Sequence, residues 1–407
     1  MMEVAFKRTA VLCWMGWVFD FYDLILIVFL IPTIEHQLHM PAEQSAWLLG
    51  VGLGASGVGG ILFGWLADLY GRKRILTVTV ILFSLGMLGS GLVQSPGQFF
   101  VMRFITGLGL GGEWAVGHAL IAESVPADKR ARWSAFLQSG EPVGVALAAI
   151  MGFMVAPILG WRGVMMLSAL SGLLALLFRR YMQESPLWLQ SPRLSSGERW
   201  KAMRPFLAQT WPLMTVALVL AVFKLGTYWT CYTWLPRFIQ QSFGVALVKS
   251  TLWILMGQVG QLLGMGLFGW MADRVGRRWA FTTFSLLTVV ALMPLALAWD
   301  HLFLHQKGLF WLLIFLLGVG SGCTAGFGAL LAEIFPTAQR TFAMGTVYNT
   351  ARGVQVFAPV VMLWAVQRGG IETALMVPAT LALLTAAWVW ALPERRGQTL
   401  LGQALGD

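Results

Sequence analysis

The sequence predicts an all-α membrane protein, twelve transmembrane helices arranged as two pseudo-symmetric six-helix halves. Three observations lead there. Of 407 residues, 57% are hydrophobic and only 11% charged, against about 25% charged in a soluble domain. With 20 Trp and 26 Phe, the apolar surface exceeds what an interior of this length can hide, so lipid must solvate much of it. The apolar residues also come in runs of about 20, enough for a helix to cross a ~30 Å hydrocarbon core. Finally, landmarks of the first half recur in order in the second.

Apolar runs bounded by turn and charge signals place spans at 9–34, 44–69, 75–94, 98–123, 131–158 and 162–181, then at 209–240, 248–272, 279–299, 308–335, 341–367 and 373–391. The first follows a short basic start, Met1 to Arg8, without the small-residue pattern of a cleaved leader, so it is expected to be retained. Basic residues test the topology. Lys7 and Arg8, Arg72 to Arg74, Lys129, Arg130 and Arg132, Arg179 through Arg204, Arg274, Arg277 and Arg278, Arg340, Arg395 and Arg396 all fall on one side. The positive-inside rule makes that side cytoplasmic, along with both termini. The polar stretch 182–208, with Ser191-Pro192 and Ser195-Ser196-Gly197, reads as a cytoplasmic linker between an N-terminal half (1–181) and a C-terminal half (209–407) ending in a short cytoplasmic tail. The net charge of +10 is thus a topology signal, and a nucleic-acid partner is excluded. Cys13, Cys231 and Cys323 lie far apart in apolar stretches and read as packing residues, with no metal or cofactor expected.

The repeat is specific. Gly64-Trp-Leu-Ala-Asp68-Leu-Tyr-Gly71-Arg72-Lys73-Arg74 returns as Gly269-Trp-Met-Ala-Asp273-Arg-Val-Gly276-Arg277-Arg278, and Glu123-Ser-Val-Pro126-Ala-Asp-Lys-Arg130 as Glu333-Ile-Phe-Pro336-Thr-Ala-Gln-Arg340. Glu184-Ser-Pro186 is echoed by Pro393-Glu394. The G-x-L-A-D-x-x-G-R-K-R motif resembles the signature of the major facilitator superfamily, and the resemblance covers essentially the whole chain. Arg103-x-x-x-Gly107-Leu-Gly109-Leu-Gly111-Gly112-Glu113-Trp114, with the Glu-Ser-Pro and Pro-Glu-Arg-Arg-Gly fragments, is similar to sugar porters and their metabolite:proton symporter relatives. Asp20-Phe-Tyr-Asp23 resembles the D-x-x-D of aromatic-acid and sialate:proton symporters. The resemblance implies alternating access. The missing arginine in Glu184-Ser-Pro-Leu-Trp-Leu189 and the missing Gln-Gln pair of the seventh span point away from a neutral sugar.

An ionisable side chain near the bilayer centre costs roughly 2.5 to 3.5 kcal/mol by insertion scales, so each marks a functional candidate. Seven stand out. Asp20 and Asp23 share one face of the first span; two close carboxylates cannot both ionise cheaply, so one can hold a transported proton. Arg103 of the fourth span is placed to modulate it, although a permanent packing ion pair is the competing reading. Glu113 and Glu141 are further proton-coupling candidates. Their alternatives are a partner for a base, and a hydrogen-bonded bend at Pro142.

Lys224 and Arg352, two cations in a half without an embedded acid, need a counter-ion, which a substrate carboxylate would supply. Arg352 suits a two-point grip and Lys224 a point charge; pairing with Asp23 or Glu141 as an inter-half gate is the alternative. Tyr228, Tyr232, Gln258, Gln261, Tyr348 and Asn349 are candidate substrate contacts. Asp68 with Arg72, and Asp273 with Arg277, are expected to latch one conformation, with Glu123 and Arg130, and Glu333 and Arg340, in the same networks.

These readings converge on a monomeric carrier of a bacterial inner membrane, taking up a small organic anion with protons. The anion would be a monocarboxylate, an aromatic acid or sialic acid. A sugar or polyol symporter is the alternative, followed by a drug or metabolite antiporter and a non-transporting sensor. No catalytic triad or nucleotide loop supports an enzyme.

Overall fold

The computed structural model describes residues 2–191, 196–243, 247–398 and 400. Among these, the chain is helical almost throughout, as a lipid-solvated backbone requires, because every N–H and C=O must be satisfied within its own segment. Eight helical stretches are long and apolar enough to cross a membrane. Two of them are double. Ala127–Gly172 turns at Gly160, where φ is 68°, and Arg340–Ala391 turns at Gly369 and Gly370. With the 29-residue helices Pro96–Ser124 and Leu247–Val275, the count is twelve.

In the N-terminal half, Met2–Leu38, Ala42–Tyr70, Arg72–Leu92 and Pro96–Ser124 are the first four spans. The fifth runs through Arg130–Gln138, Gly140–Ile150 and a single π turn, Met151–Val155, to the bend at Gly160; the sixth ends with Leu173–Tyr181. In the C-terminal half, Ser196–Phe243 holds the seventh span and Leu247–Val275 is the eighth. Arg277–Leu297 is the ninth, Lys307–Ser321 with Gly326–Ile334 the tenth, Arg340–Val354 opens the eleventh, and Ala358–Trp388 completes it and forms the twelfth.

The 182–208 segment differs from the loop expected of its polarity. Pro186–Gln190 is a short helix capped by the Ser185 side chain, and the long helix begins at Ser196, so most of the segment's second part continues the seventh span.

The repeated Gly71 and Gly276 have φ of 102° and 107°. A side chain at either position would be strained, and each lets the chain reverse between spans, two to three and eight to nine. Elsewhere small residues let helices approach closely, the main source of cohesion where lipid removes the hydrophobic drive. A Cβ on Gly111 of the fourth span would lie 2.6 Å from the Gly60 backbone nitrogen of the second. Gly111→Val is therefore expected to lower stability by about 1–3 kcal/mol, read as a fall in melting temperature in detergent; an unchanged melting temperature would contradict this packing.

The two halves meet along paired spans. The second packs on the eleventh, with Gly50 against Val356 and Gly57 against the Asn349 carbonyl, and the fifth packs on the eighth, with Gly269 against Ala135 and Arg132. The outer surface is apolar, Ile158 being 81% exposed and Val360 64%, which only lipid contact makes tolerable.

Candidate functional site

Between the halves lies a layer of charges from the first, fourth, fifth, seventh and eleventh spans. Asp20 and Asp23 sit on the same helix, but each is held by its own guanidinium. Arg103 reaches from the fourth span and grips Asp23 at both oxygens, at 2.8 and 2.6 Å. Arg352 comes from the other half and grips Asp20 at 3.0 and 2.6 Å. All four side chains are at most 2% exposed. Such fork-to-fork pairs combine charge with fixed geometry. The Arg352 guanidinium also lies 5.4 Å from the ring centroids of Trp17 and Phe21, and its Nε is left without a partner. The counter-ion that the sequence leaves open for Arg352 is therefore supplied, in this conformation, by Asp20 across the interface.

Glu141 joins the halves a second time. It accepts from Gln138 Nε2 and from Gln261 Nε2 of the eighth span, each at 2.9 Å. It also lies within electrostatic reach of Lys224 and Tyr228 of the seventh. Lys224 is buried and, among the described residues, makes no ion pair. Gln138 shares its carbonyl oxygen between Trp114 Nε1 at 3.1 Å and His118 Nε2 at 3.2 Å. Trp114 stacks flat on Tyr348, with centroids 3.6 Å apart and planes 4° from parallel. Tyr228 stacks on Tyr232 at 4.8 Å and meets Phe21 edge-on.

Several buried atoms here lack partners: Glu113 Oε2, Gln258 Oε1, Gln261 Oε1, Tyr232 Oη and Asn349 Oδ1. Unsatisfied buried polar atoms are costly and rare, and these five are spread over the fourth, seventh, eighth and eleventh spans. Glu113 faces Gly16 of the first span, where a Cβ would lie 3.2 Å from Oε2. Asn349 donates instead to the Gly111 carbonyl at 2.9 Å, tying the eleventh span to the fourth. Trp114, Gln138 and Trp17 are absent from the candidates read from the sequence. Gln138 carried a usable signal, lying three residues before Glu141 and so on its face of the helix, whereas an interior Trp in an apolar run looks the same whether it packs or stacks.

At the face that carries the basic loops, the repeated motifs form two equivalent clusters. Asp68 accepts from the backbone N–H groups of Thr341 and Phe342, at 3.3 and 2.9 Å, at the start of the eleventh span. Asp273 accepts from Ala131 and Arg132, at 3.0 and 3.1 Å, at the start of the fifth. Each carboxylate thus sits on the positive end of a helix of the other half.

Arg72 pairs with Asp68 at 3.0 Å and Glu123 at 3.1 Å, and Arg277 with Asp273 at 3.2 Å and Glu333 at 2.7 Å. The remaining arginines cross over: Arg340 pairs with Glu123 at 2.8 Å and Arg130 with Glu333 at 2.9 Å. The sequence-adjacent partners Glu123 and Arg130, and Glu333 and Arg340, are not paired directly. Arg130 and Arg340 each bind back to their own preceding helix, at the Ala122 and Ala332 carbonyls, while their other nitrogens point across the interface. Ser185 also donates to Glu123, and Glu184 accepts from the N–H groups of Arg72, Lys73 and Ser185. Burial pushes the Glu184 carboxyl above its ordinary range, against the pull of those donors.

The family model for the Major Facilitator Superfamily matches residues 13–260 and 252–404. A Bacillus subtilis protein provisionally named the niacin/nicotinamide transporter NiaP is 30% identical over 352 residues, 86% of each chain. The cis,cis-muconate transport protein of Acinetobacter baylyi is 28% identical over 369 residues, 88% of this chain and 87% of its own. In fold, the chain matches the proton:xylose symporter XylE bound to 6-bromo-6-deoxy-D-glucose with a TM-score of 0.82 at 19% identity, over 98% of both chains. The chain belongs to the major facilitator superfamily and is a secondary transporter of that type, an integral membrane protein rather than an enzyme.

Proposed function

We propose that the chain carries a small organic carboxylate into the cell together with a proton, in a bacterial inner membrane with the basic face cytoplasmic. The observation that supports this best is the Asp20–Arg352 pair, a bidentate buried salt bridge between the two halves. A substrate carboxylate and Asp20 compete for one guanidinium. The substrate can take it cheaply only when Asp20 is neutral, because displacing a charged Asp20 would strand a buried carboxylate. One proton and one anion then enter the site together, and the layer keeps its net charge.

On this reading Arg352 grips the carboxylate and Lys224 draws it in from the side of Glu141. Tyr228, Tyr232, Gln258 and Gln261 meet the rest of the molecule, with Tyr348 and Asn349 on the eleventh span. Asp23, with Arg103, is the second carboxylate through which the proton passes; Glu113 and Glu141 are its further stations. The two clusters at the basic face, Asp68, Arg72, Glu123 and Arg340 with Asp273, Arg277, Glu333 and Arg130, hold that side shut while the site loads from the other.

The relatives named for niacin and muconate transport support an acid as substrate. A sugar or polyol is the second reading, which the unpartnered amide oxygens of Gln258, Gln261 and Asn349 favour as acceptors for hydroxyl groups.

The test is uptake into proteoliposomes of labelled nicotinate, muconate, benzoate, sialic acid and xylose, with and without an inward proton gradient. Accumulation of one acid above its external concentration only with the gradient is the expected result. Accumulation of xylose alone would overturn the carboxylate reading.

A further inference from the structure

Inward of the clusters at the basic face, a second set of contacts crosses between the halves. His118 of the fourth span lies five residues before Glu123, and Gly328 of the tenth lies five before Glu333, so the two hold equivalent places in the repeat. They touch. A Cβ on Gly328 would overlap the His118 ring and come 2.5 Å from Ser134 Oγ. A residue in contact with its own repeat mate sits on the pseudo-two-fold axis, here about 7.5 Å along each helix from the acids of the latch at 1.5 Å per residue. Ser134 of the fifth span closes the same layer, donating to the Ala325 carbonyl of the tenth at 2.7 Å. His118, Ser134 and Ala325 are all buried.

The hydrogen bonds fix how the ring is held. Trp114 Nε1 can only donate, so the Gln138 oxygen faces it at 3.1 Å, and His118 Nε2, which shares that oxygen at 3.2 Å, carries the ring's hydrogen. Nδ1 is left as an acceptor toward Ser134, whose hydroxyl hydrogen is committed to Ala325. Gln138 turns its other end to Glu141, donating at 2.9 Å. Trp114 tilts on the His118 ring at 4.7 Å and stacks on Tyr348. One amide thus joins this ring to the carboxylate deeper in the interface.

We propose that His118 is the plug of the basic-side gate, a positioning residue whose ring seals the axis by filling the notch that Gly328 leaves. Two bulky side chains cannot share the axis, and glycine at the repeat position makes the room. The face opens by drawing the fourth and fifth spans off the tenth, which pulls the ring from its notch and breaks the Ser134–Ala325 bond. Interfaces packed this closely have discrete open and shut states rather than a continuum. Gln138 fixes the aim of the ring, so a rearrangement at Glu141 reaches the gate through that amide. This rests on the reading that the basic face opens and shuts during transport, and not on which solute is carried.

Hydrogen exchange at the amides of Thr341 and Phe342, bound by Asp68 while this face is shut, tests it in the purified full chain. Gly328→Ala puts a methyl where the ring lies and should accelerate exchange there about tenfold, the middle of the range for an overpacked contact. In His118→Ala/Gly328→Ala the methyl has room, so exchange should return to within about twofold of His118→Ala alone, the coupling that a shared contact requires. His118→Gln keeps a donor for Gln138 and should stay near the unaltered protein, whereas His118→Leu, of similar bulk without one, should accelerate exchange about fivefold. Gly109→Ala is the comparison for plain overpacking, since its Cβ would lie 2.8 Å from the Phe83 backbone nitrogen within one half. It should lower the melting temperature and leave exchange at 341 and 342 unchanged. An effect of Gly328→Ala that is the same with and without His118, or that Gly109→Ala reproduces, overturns the proposal. Where Gly328→Ala does not fold, the contrast between His118→Gln and His118→Leu decides, and equal exchange in both overturns it. Faster exchange in Glu123→Gln with none in Gly328→Ala removes the plug and leaves the latch, whereas no acceleration in either removes the opening of this face as well.

Discussion

Asp20→Asn is expected to abolish accumulation driven by a proton gradient while sparing exchange of labelled for unlabelled substrate across the membrane. The two carboxamide atoms occupy the space of the carboxylate, and the Asn oxygen still accepts from Arg352, whose Nη atoms now reach Asp20 at 3.0 and 2.6 Å. What is lost is the charge that competes with the substrate. An unaltered protein that takes up one proton with each carboxylate bound should lose affinity about tenfold per pH unit once Asp20 ionises; in Asp20→Asn that slope should flatten towards zero. Breaking a buried pair by removing one partner can cost about 3–5 kcal/mol, so the variant's elution profile and melting temperature have to accompany the transport data. Asp23→Asn is the comparison, because Arg103 stays within the same half and its loss leaves the Asp20–Arg352 bridge in place. Proton-driven accumulation that persists in Asp20→Asn and disappears in Asp23→Asn would move the coupling role to the Asp23–Arg103 pair.

Much of this architecture is legible from residue order alone, for physical reasons. A span must be about 20 apolar residues, so apolar runs read together with turn and charge signals place the twelve, and the return of Gly71-Arg72 as Gly276-Arg277 reveals the duplication because only glycine suits the backbone there. The embedded charges are visible for the same reason that they are rare. Their partners are not. Asp20 and Asp23 lie three residues apart, yet one is claimed within its half and the other across the interface, a choice fixed by which helices the fold sets beside each face. Arg130 and Arg340 follow Glu123 and Glu333 by seven residues but bind the opposite half's acid, a choice that spacing along the chain does not reveal. The helix from Ser196 was hidden by its polar surroundings, although Met203 and Phe206, three residues apart and both buried, are the apolar stripe that could have marked it among the Ser, Lys and Arg. Trp114 on Tyr348 could be inferred from neither residue singly.

Glu123→Gln is expected to open the basic face. Glu123 is fully buried between Arg72 and Arg340 and also accepts from Ser185, so the substitution leaves two buried guanidinium groups short of a counter-ion. At about 3–5 kcal/mol for a broken buried pair, the conformation closed on this face should lose a hundredfold or more in population relative to one open there, provided the arginines gain water on opening. The backbone amides of Thr341 and Phe342 report the change. They are bound by Asp68 of the other half only while the latch is closed, and their hydrogen exchange should accelerate in Glu123→Gln. By pseudo-symmetry Glu333→Gln should do the same for Ala131 and Arg132, which bind Asp273, and either variant alone should loosen both pairs if the halves move as rigid bodies. Glu184→Gln is the control, since Glu184 accepts from the backbone of Arg72, Lys73 and Ser185 within its own half and exchange at 341 and 342 should not respond. Acceleration confined to the mutated cluster would mean that the two clusters open independently, and no acceleration at all would show that the crossed arginines do not hold this face shut. Because the same latch must break in every cycle, a weakened one should also raise the share of molecules facing the basic side and reduce affinity for substrate offered from the other, a loss that restoring charge with Glu123→Asp should partly reverse.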